Sequence, residues 1–274
     1  MLSHLQMVKR YISYYLTSKT LNSIHSPSIY RLIDETIEDT RAYYAFRELE
    51  GLRRHILRRE EIIDVIDLGA GSKVSKTSKR KISAIAKSAL SPPHKAQFLF
   101  KLCKHLQPKQ ILEFGTSLGL SALYMHKAAS TARLQTIEGS AAIAQIAQSY
   151  FDAEAAPIEL LNFPFDKALD LPSIKDSSYD LIYIDGNHTE TATNRYVDAL
   201  YKRLNDKGVM ILDDIYWSQG MMNSWKKLSI DKRFAFSVDL FDYGLLIKDI
   251  SHNQHESFKI IKRKQKPFSL GIWG

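Results

Sequence analysis

Six residues stand where apolar, strand-like runs give way to polar chain: Glu113, Gly115, Glu138, Asp185, Asp213 and Asp214. Glycines 115 and 119 frame the turn Gly115-Thr116-Ser117-Leu118-Gly119, which runs into a helix-forming segment. Such a turn leaves backbone amides free at a helix start and lets a ligand approach the main chain closely. Glu138 ends the next strand, 23 residues after Gly115, and a carboxylate there can bind both hydroxyls of a ribose. Glycine turn, helix start and ribose acid together point to an adenosine-containing cofactor. The spacing Gly-x-x-x-Gly lacks the third glycine that seats a pyrophosphate, and Glu113 beside the loop would repel one. A carboxylate there suits an ammonium group, while the Ser117 and Ser121 hydroxyls and the loop amides suit a carboxylate. These features favour S-adenosylmethionine over a nicotinamide dinucleotide.

Such residues need a scaffold, and the pattern around them supplies one. Short apolar strands at 110–114, 133–138, 158–161, 179–185 and 209–212 alternate with helical runs at 120–129, 140–151 and 190–204. The tail segments FAFSVDLF and YGLLIK read as a closing hairpin. The pattern predicts an α/β, Rossmann-like sheet over residues 89–274, mostly parallel with an antiparallel last strand and helices on both faces. Ligands in this class bind beyond the carboxyl ends of the strands.

Residues 1–88 read as a basic, mostly helical extension, expected to act as a lid, a substrate element or a dimer element. Apolar residues recur at helical spacing in Leu5, Val8, Ile12, Tyr15 and Leu16, and again in Ile29, Leu32, Ile33 and Ile37. Ser26-Pro27 opens the second helix. A third helix carries Arg53, Arg54, Arg58 and Arg59 as a polar face. Residues 62–71 look like a strand ending in a glycine turn, yet no helix follows and no acid occurs between Asp67 and Glu113. Gly69 and Gly71 therefore do not read as a dinucleotide loop. The basic stretch 72–81 reads as a surface loop near a substrate entrance.

With 274 residues, 45% of them apolar and 25% charged, the chain has material for a core. No apolar run is long enough for a membrane helix, and no signal-peptide pattern opens the chain, so a cytoplasmic location is expected. The lone cysteine, Cys103, sits in an apolar helical pattern and reads as core filler. Residues 1–110 carry 20 Lys/Arg against 10 Asp/Glu, whereas residues 111–274 carry 18 against 20. A basic part can bind nucleic acid, anionic lipid or an acidic small molecule, or can simply be a solvated surface.

The segment Glu113-Phe-Gly115-Thr-Ser-Leu-Gly119-Leu-Ser121 resembles the Glu-x-Gly-x-x-x-Gly-x-Ser signature of class I S-adenosylmethionine-dependent O-methyltransferases, the catechol, caffeoyl-CoA and sugar O-methyltransferases among them. Tyr179 to His188 and Ile211 to Trp217 look like that group's fourth and fifth strands with their loops. The resemblance spans residues 90–250 and leaves residues 1–85 unmatched. It implies cofactor contacts from Glu113, Gly115, Thr116, Ser117, Gly119, Ser121, Glu138 and Asp185. It implies further that Asp185, Asp213 and Asp214 hold a divalent ion in metal-dependent members. All-oxygen ligation suits Mg²⁺, or Mn²⁺ or Ca²⁺. His188, three residues after Asp185, stands where catechol-type enzymes carry a lysine base, and histidine is the better base near neutral pH. The expected activity is O-methylation of a small-molecule hydroxyl, with a homodimer as one form the enzyme can take. Methylation of RNA or another nucleic acid is one alternative, favoured by the basic N-terminal part. A non-catalytic S-adenosylmethionine-binding protein is the other.

Overall fold

The computed structural model describes residues 4–67 and 76–267. Three helices open the chain: α1 His4–Thr17, α2 Pro27–Glu35 and α3 Tyr44–Ile56. An antiparallel pair follows, β1 Ile62–Asp67 and β2 Lys76–Lys81, with Ile62 facing Lys81 and Asp67 facing Lys76. The expectation of a loop over 72–81 is thus corrected for residues 76–81, which the facing strand draws into a ladder. Residues 72–75, and Gly69 and Gly71 with them, lie outside the described residues. Helices α4 Ile82–Ala89 and α5 Pro93–Leu106 lead into the central sheet.

That sheet is built by β3 Gln110–Phe114, α6 Leu120–Ala128, β4 Arg133–Ile137, α7 Ala141–Ala153, β5 Ile158–Leu161, the short helices α8 Phe165–Ala168 and α9 Pro172–Lys175, β6 Tyr179–Ile184, α10 Glu190–Tyr201, β7 Leu204–Asp213, α11 Gln219–Leu228, β8 Phe236–Asp239, β9 Tyr243–Ile247 and β10 Glu256–Lys259. Its spatial order is β10-β8-β9-β7-β6-β3-β4-β5. Strands β5, β4, β3, β6 and β7 are mutually parallel, and β9 pairs antiparallel with β7 and β8. The predicted Rossmann-like sheet is present, and β10, parallel to β8, adds an edge strand that the sequence pattern did not reveal. The chain order reverses between β3 and β6, which opens a crevice above their carboxyl ends.

Central strands are apolar because both faces are covered by helices. Ile111, Leu112, Phe114, Leu181, Ile182, Met210, Ile211 and Leu212 are all buried. Cys103 lies within this core, as its helical surroundings implied. Among the described residues no helix is long and apolar enough to cross a membrane.

The N-terminal helix departs from its amphipathic reading. Leu5, Ile12 and Leu16 are 65%, 51% and 69% exposed, whereas Tyr14 is 3% exposed. The docked face is the aromatic one: the Tyr14 hydroxyl donates to the Ile260 carbonyl, and Tyr11 and Tyr14 pack against Phe241. Arg53 likewise leaves the expected polar face, being buried and paired with Glu50 at 3.0 Å.

Candidate active site

The glycine turn is fixed by geometry only glycine adopts. Gly115 has φ +110°, and a Cβ there would fall 2.0 Å from the Asp185 carbonyl oxygen. The turn is therefore pressed against the end of β6. Gly119, at φ +82°, starts α6, and a Cβ there would meet the Phe151 ring at 2.6 Å. That glycine is required by packing against α7.

A cleft of about 760 Å³ opens above these strand ends and is lined by Gly115, Ser117, Glu138, Asp185, His188, Asp213, Asp214, Trp217 and Phe241 among others. At one end, Glu138 accepts from the Ser117 amide at 3.0 Å and the Ser140 amide at 2.9 Å. Burial raises the Glu138 carboxyl above its ordinary range, against the pull of those amides. The Ser117 and Ser140 hydroxyls beside it are buried and have no partner among the described residues. Unpaired buried hydroxyls are costly, which marks a locally unsatisfied spot next to Glu138.

Glu113 is not part of that surface. It is fully buried, and its two oxygens take the Ser121 hydroxyl at 2.6 Å and the Thr136 hydroxyl at 2.5 Å. Thr116 bonds Thr136 at 2.6 Å in the same network. Burial pushes the Glu113 carboxyl up to about 7. Glu113, Thr116, Ser121 and Thr136 thus form a polar network beneath the loop, which holds the turn in shape.

At the other end, His188 Nε2 lies 3.4 Å from Asp185 Oδ1. Burial lowers the imidazole, but the Asp185 carboxylate outweighs it and holds His188 above its ordinary value. Asp185 is in turn lowered despite burial, by His188 and by Lys95. The Tyr183 hydroxyl shares its one hydrogen between Asp185 at 3.0 Å and Asp213 at 3.2 Å. Burial and the Asp185 charge push the Asp213 carboxyl well up, opposed by Lys95.

Lys95, from the first turn of α5, is the residue the sequence reading missed. Its ammonium bonds Asp213 and, at 2.9 Å, Asp214. The lysine side chain is 7% exposed and Asp213 3%. One signal was available: a basic residue opening a helix opposes the helix dipole and needs another reason to be there. The three acids do converge, but the expected divalent ion does not fit them. Among the described residues no group of three His, Cys, Asp or Glu could hold a metal ion. The Lys95 ammonium already takes the Asp213 and Asp214 oxygens that would ligate such an ion, so a dication would have to displace it. The metal expectation for Asp185, Asp213 and Asp214 is corrected on that ground.

Distant segments complete this end. Arg10 donates to the carbonyls of Tyr216 at 2.6 Å and Ser218 at 3.1 Å, and to Gln219 Oε1 at 3.0 Å. The Tyr216 ring stacks on Phe241 at 4.8 Å, and Trp217 is 42% exposed at the cleft mouth.

Comparison with known proteins agrees with this geometry. Residues 112–215 match a family described as a methyltransferase domain. The O-methyltransferase hkm8 of Aspergillus hancockii is 30% identical over 139 residues, which is 48% of this chain and 54% of the relative. The chain thus spans about half the length of that curated relative. The SAH-bound methyltransferase PaMTH1 of Podospora anserina superposes with a TM-score of 0.56 at 17% identity, covering 82% of this chain and 96% of that one. The O-methyltransferase of Bacillus cereus in complex with SAH gives 0.53 at 16%, covering 80% and 96%. The fold is that of the class I methyltransferases.

Proposed function

We propose that this chain is an S-adenosylmethionine-dependent O-methyltransferase acting on a hydroxyl of a small molecule. The observation that carries the reading is the two-ended cleft, with the half-buried Glu138 carboxylate beside Gly115 and Ser117 at one end and an Asp-His pair at the other. Glu138 accepts from the ribose hydroxyls, with lone pairs to spare beyond its two amide bonds. Gly115 and Ser117 would line the cofactor's side of the cleft beside Glu138. When bound, S-adenosylmethionine supplies an electrophilic methyl group on its sulfonium.

At the acceptor end, Nε2 of His188 faces Asp185 as a donor, which leaves Nδ1 to accept the proton of the acceptor hydroxyl. The methyl group would pass from sulfur to the acceptor oxygen in one displacement, the carbon–sulfur pair staying on sulfur. Most of the catalysis is then positioning and exclusion of water, served by Tyr216, Trp217 and Phe241 along the cleft. Calorimetry with S-adenosylhomocysteine tests the reading. Glu138→Ala should lose about 1.5–3 kcal/mol of affinity, the scale of hydrogen bonds to a charged group. NADH should give no heat. Unchanged affinity in a folded Glu138→Ala protein would overturn the assignment.

A further inference from the structure

The acceptor end holds three carboxylates, Asp185, Asp213 and Asp214, together with a lysine side chain delivered from a helix about 120 residues earlier in the chain. Its placement is heavily determined. Pro92 and Pro93 stiffen the entry to α5, and the Tyr243 hydroxyl donates to the Lys95 carbonyl at 3.2 Å. The Tyr243 ring lies under the ammonium, 5.1 Å from nitrogen to centroid. Asp214 adopts φ +53°, a left-handed conformation that aspartate tolerates, and its carboxylate meets the lysine. Burying a lone ammonium is costly, so a lysine this enclosed is retained where paired carboxylates hold it.

We propose that Lys95 is the built-in cation of the acceptor site, standing where a divalent metal would otherwise sit between Asp185, Asp213 and Asp214. The inference rests on the methyltransferase reading and deepens it. Two ammonium hydrogens point to Asp213 and Asp214; the third is left for the acceptor oxygen, since Lys95 also lines the cleft. There it stabilises the oxyanion as His188 takes the proton. A metal ion chelates two neighbouring oxygens, whereas one ammonium hydrogen serves one. The acceptor class is therefore a molecule with a single reacting hydroxyl, a phenol or an alcohol, with no requirement for a vicinal diol.

The experiment is a Mn²⁺ titration of the full chain, stripped with EDTA, with free Mn²⁺ read by electron paramagnetic resonance. Wild type should bind no Mn²⁺ up to millimolar concentration. Lys95→Met, which keeps the side chain's length and removes its charge, should bind Mn²⁺ at least about tenfold more tightly, a change of about 1.4 kcal/mol. Adding Asp213→Asn to that variant should erase the gain. Tight Mn²⁺ binding by wild type that Asp213→Asn abolishes would overturn the proposal, and so would a folded Lys95→Met without any gain. Should Lys95→Met fail to fold, the wild-type titration decides alone. Calorimetry with S-adenosylhomocysteine on the same wild-type preparation separates the two readings: absence of binding there defeats the methyltransferase assignment, while the Mn²⁺ result bears on Lys95.

Discussion

The two ends of the cleft are built in opposite ways. The end carrying Glu138 comes from one stretch of chain: β3, the glycine turn, α6 and β4 fall within residues 110–140, and parallel register sets Glu113 beside Thr136. The end carrying His188 is assembled from five places: α1, the first turn of α5, the ends of β6 and β7, and the loop before β9 that holds Phe241. A local site keeps its shape through short loops and adjacent strands. A dispersed one depends on every distant segment that reaches it.

The largest expected effect lies where the two ends touch. Gly115→Ala puts a methyl 2.0 Å from the Asp185 carbonyl and should cost about 4 kcal/mol of stability in urea unfolding, the scale reserved for backbone clashes and strain. A loss below about 1 kcal/mol would mean that the ends are not rigidly joined.

Next comes the network under the local end. The Glu113 carboxyl sits at about 7 in the fold against 4.5 for a free side chain. A raised carboxyl contributes stability at low pH and loses it as pH rises through about 4.5 to 7, because the unfolded chain ionises first. Glu113→Gln has no such dependence. From pH 4.5 to 8 its stability relative to wild type should rise by about 3 kcal/mol. A pH-independent difference would show that Glu113 is solvated, and that the turn rests on something else.

The smallest effect probes the dispersed end. Arg10→Ala should cost about 1–2 kcal/mol, from charge-assisted bonds that are only part-buried. Hydrogen exchange should speed up at residues 214–219, while affinity for S-adenosylhomocysteine stays as in wild type. Equal losses at both ends would dissolve the distinction between them.

The same contrast explains what the sequence made legible. Strand alternation, the glycine turn and Glu138 are local patterns, and each has its place in the sheet. Asp185, His188, Asp213 and Asp214 stand at strand ends and are also found together. Lys95 escaped because its one local signal, a basic residue in the first turn of a helix, says nothing of the distant acids that hold it. Glu113 was read as facing a ligand because its place beside the loop does not show which face of β3 it takes. The exposed Leu5, Ile12 and Leu16 show the converse: an apolar spacing marks a face without saying that something covers it.

Lys19 bridges to Ile260 through a backbone ladder, and the Lys266 ammonium donates to the carbonyls of Tyr15 and Ser18. The first helix is thereby clasped by residues 260–266. At roughly 5–20 residues per second of synthesis, α1 waits about 10–50 s for that clasp, while the stretch from β3 to β4 can gather its neighbours long before. A ribosome-bound chain stalled short of residue 260 would thus hold the Glu138 end of the cleft while the clasp on α1 is still unbuilt.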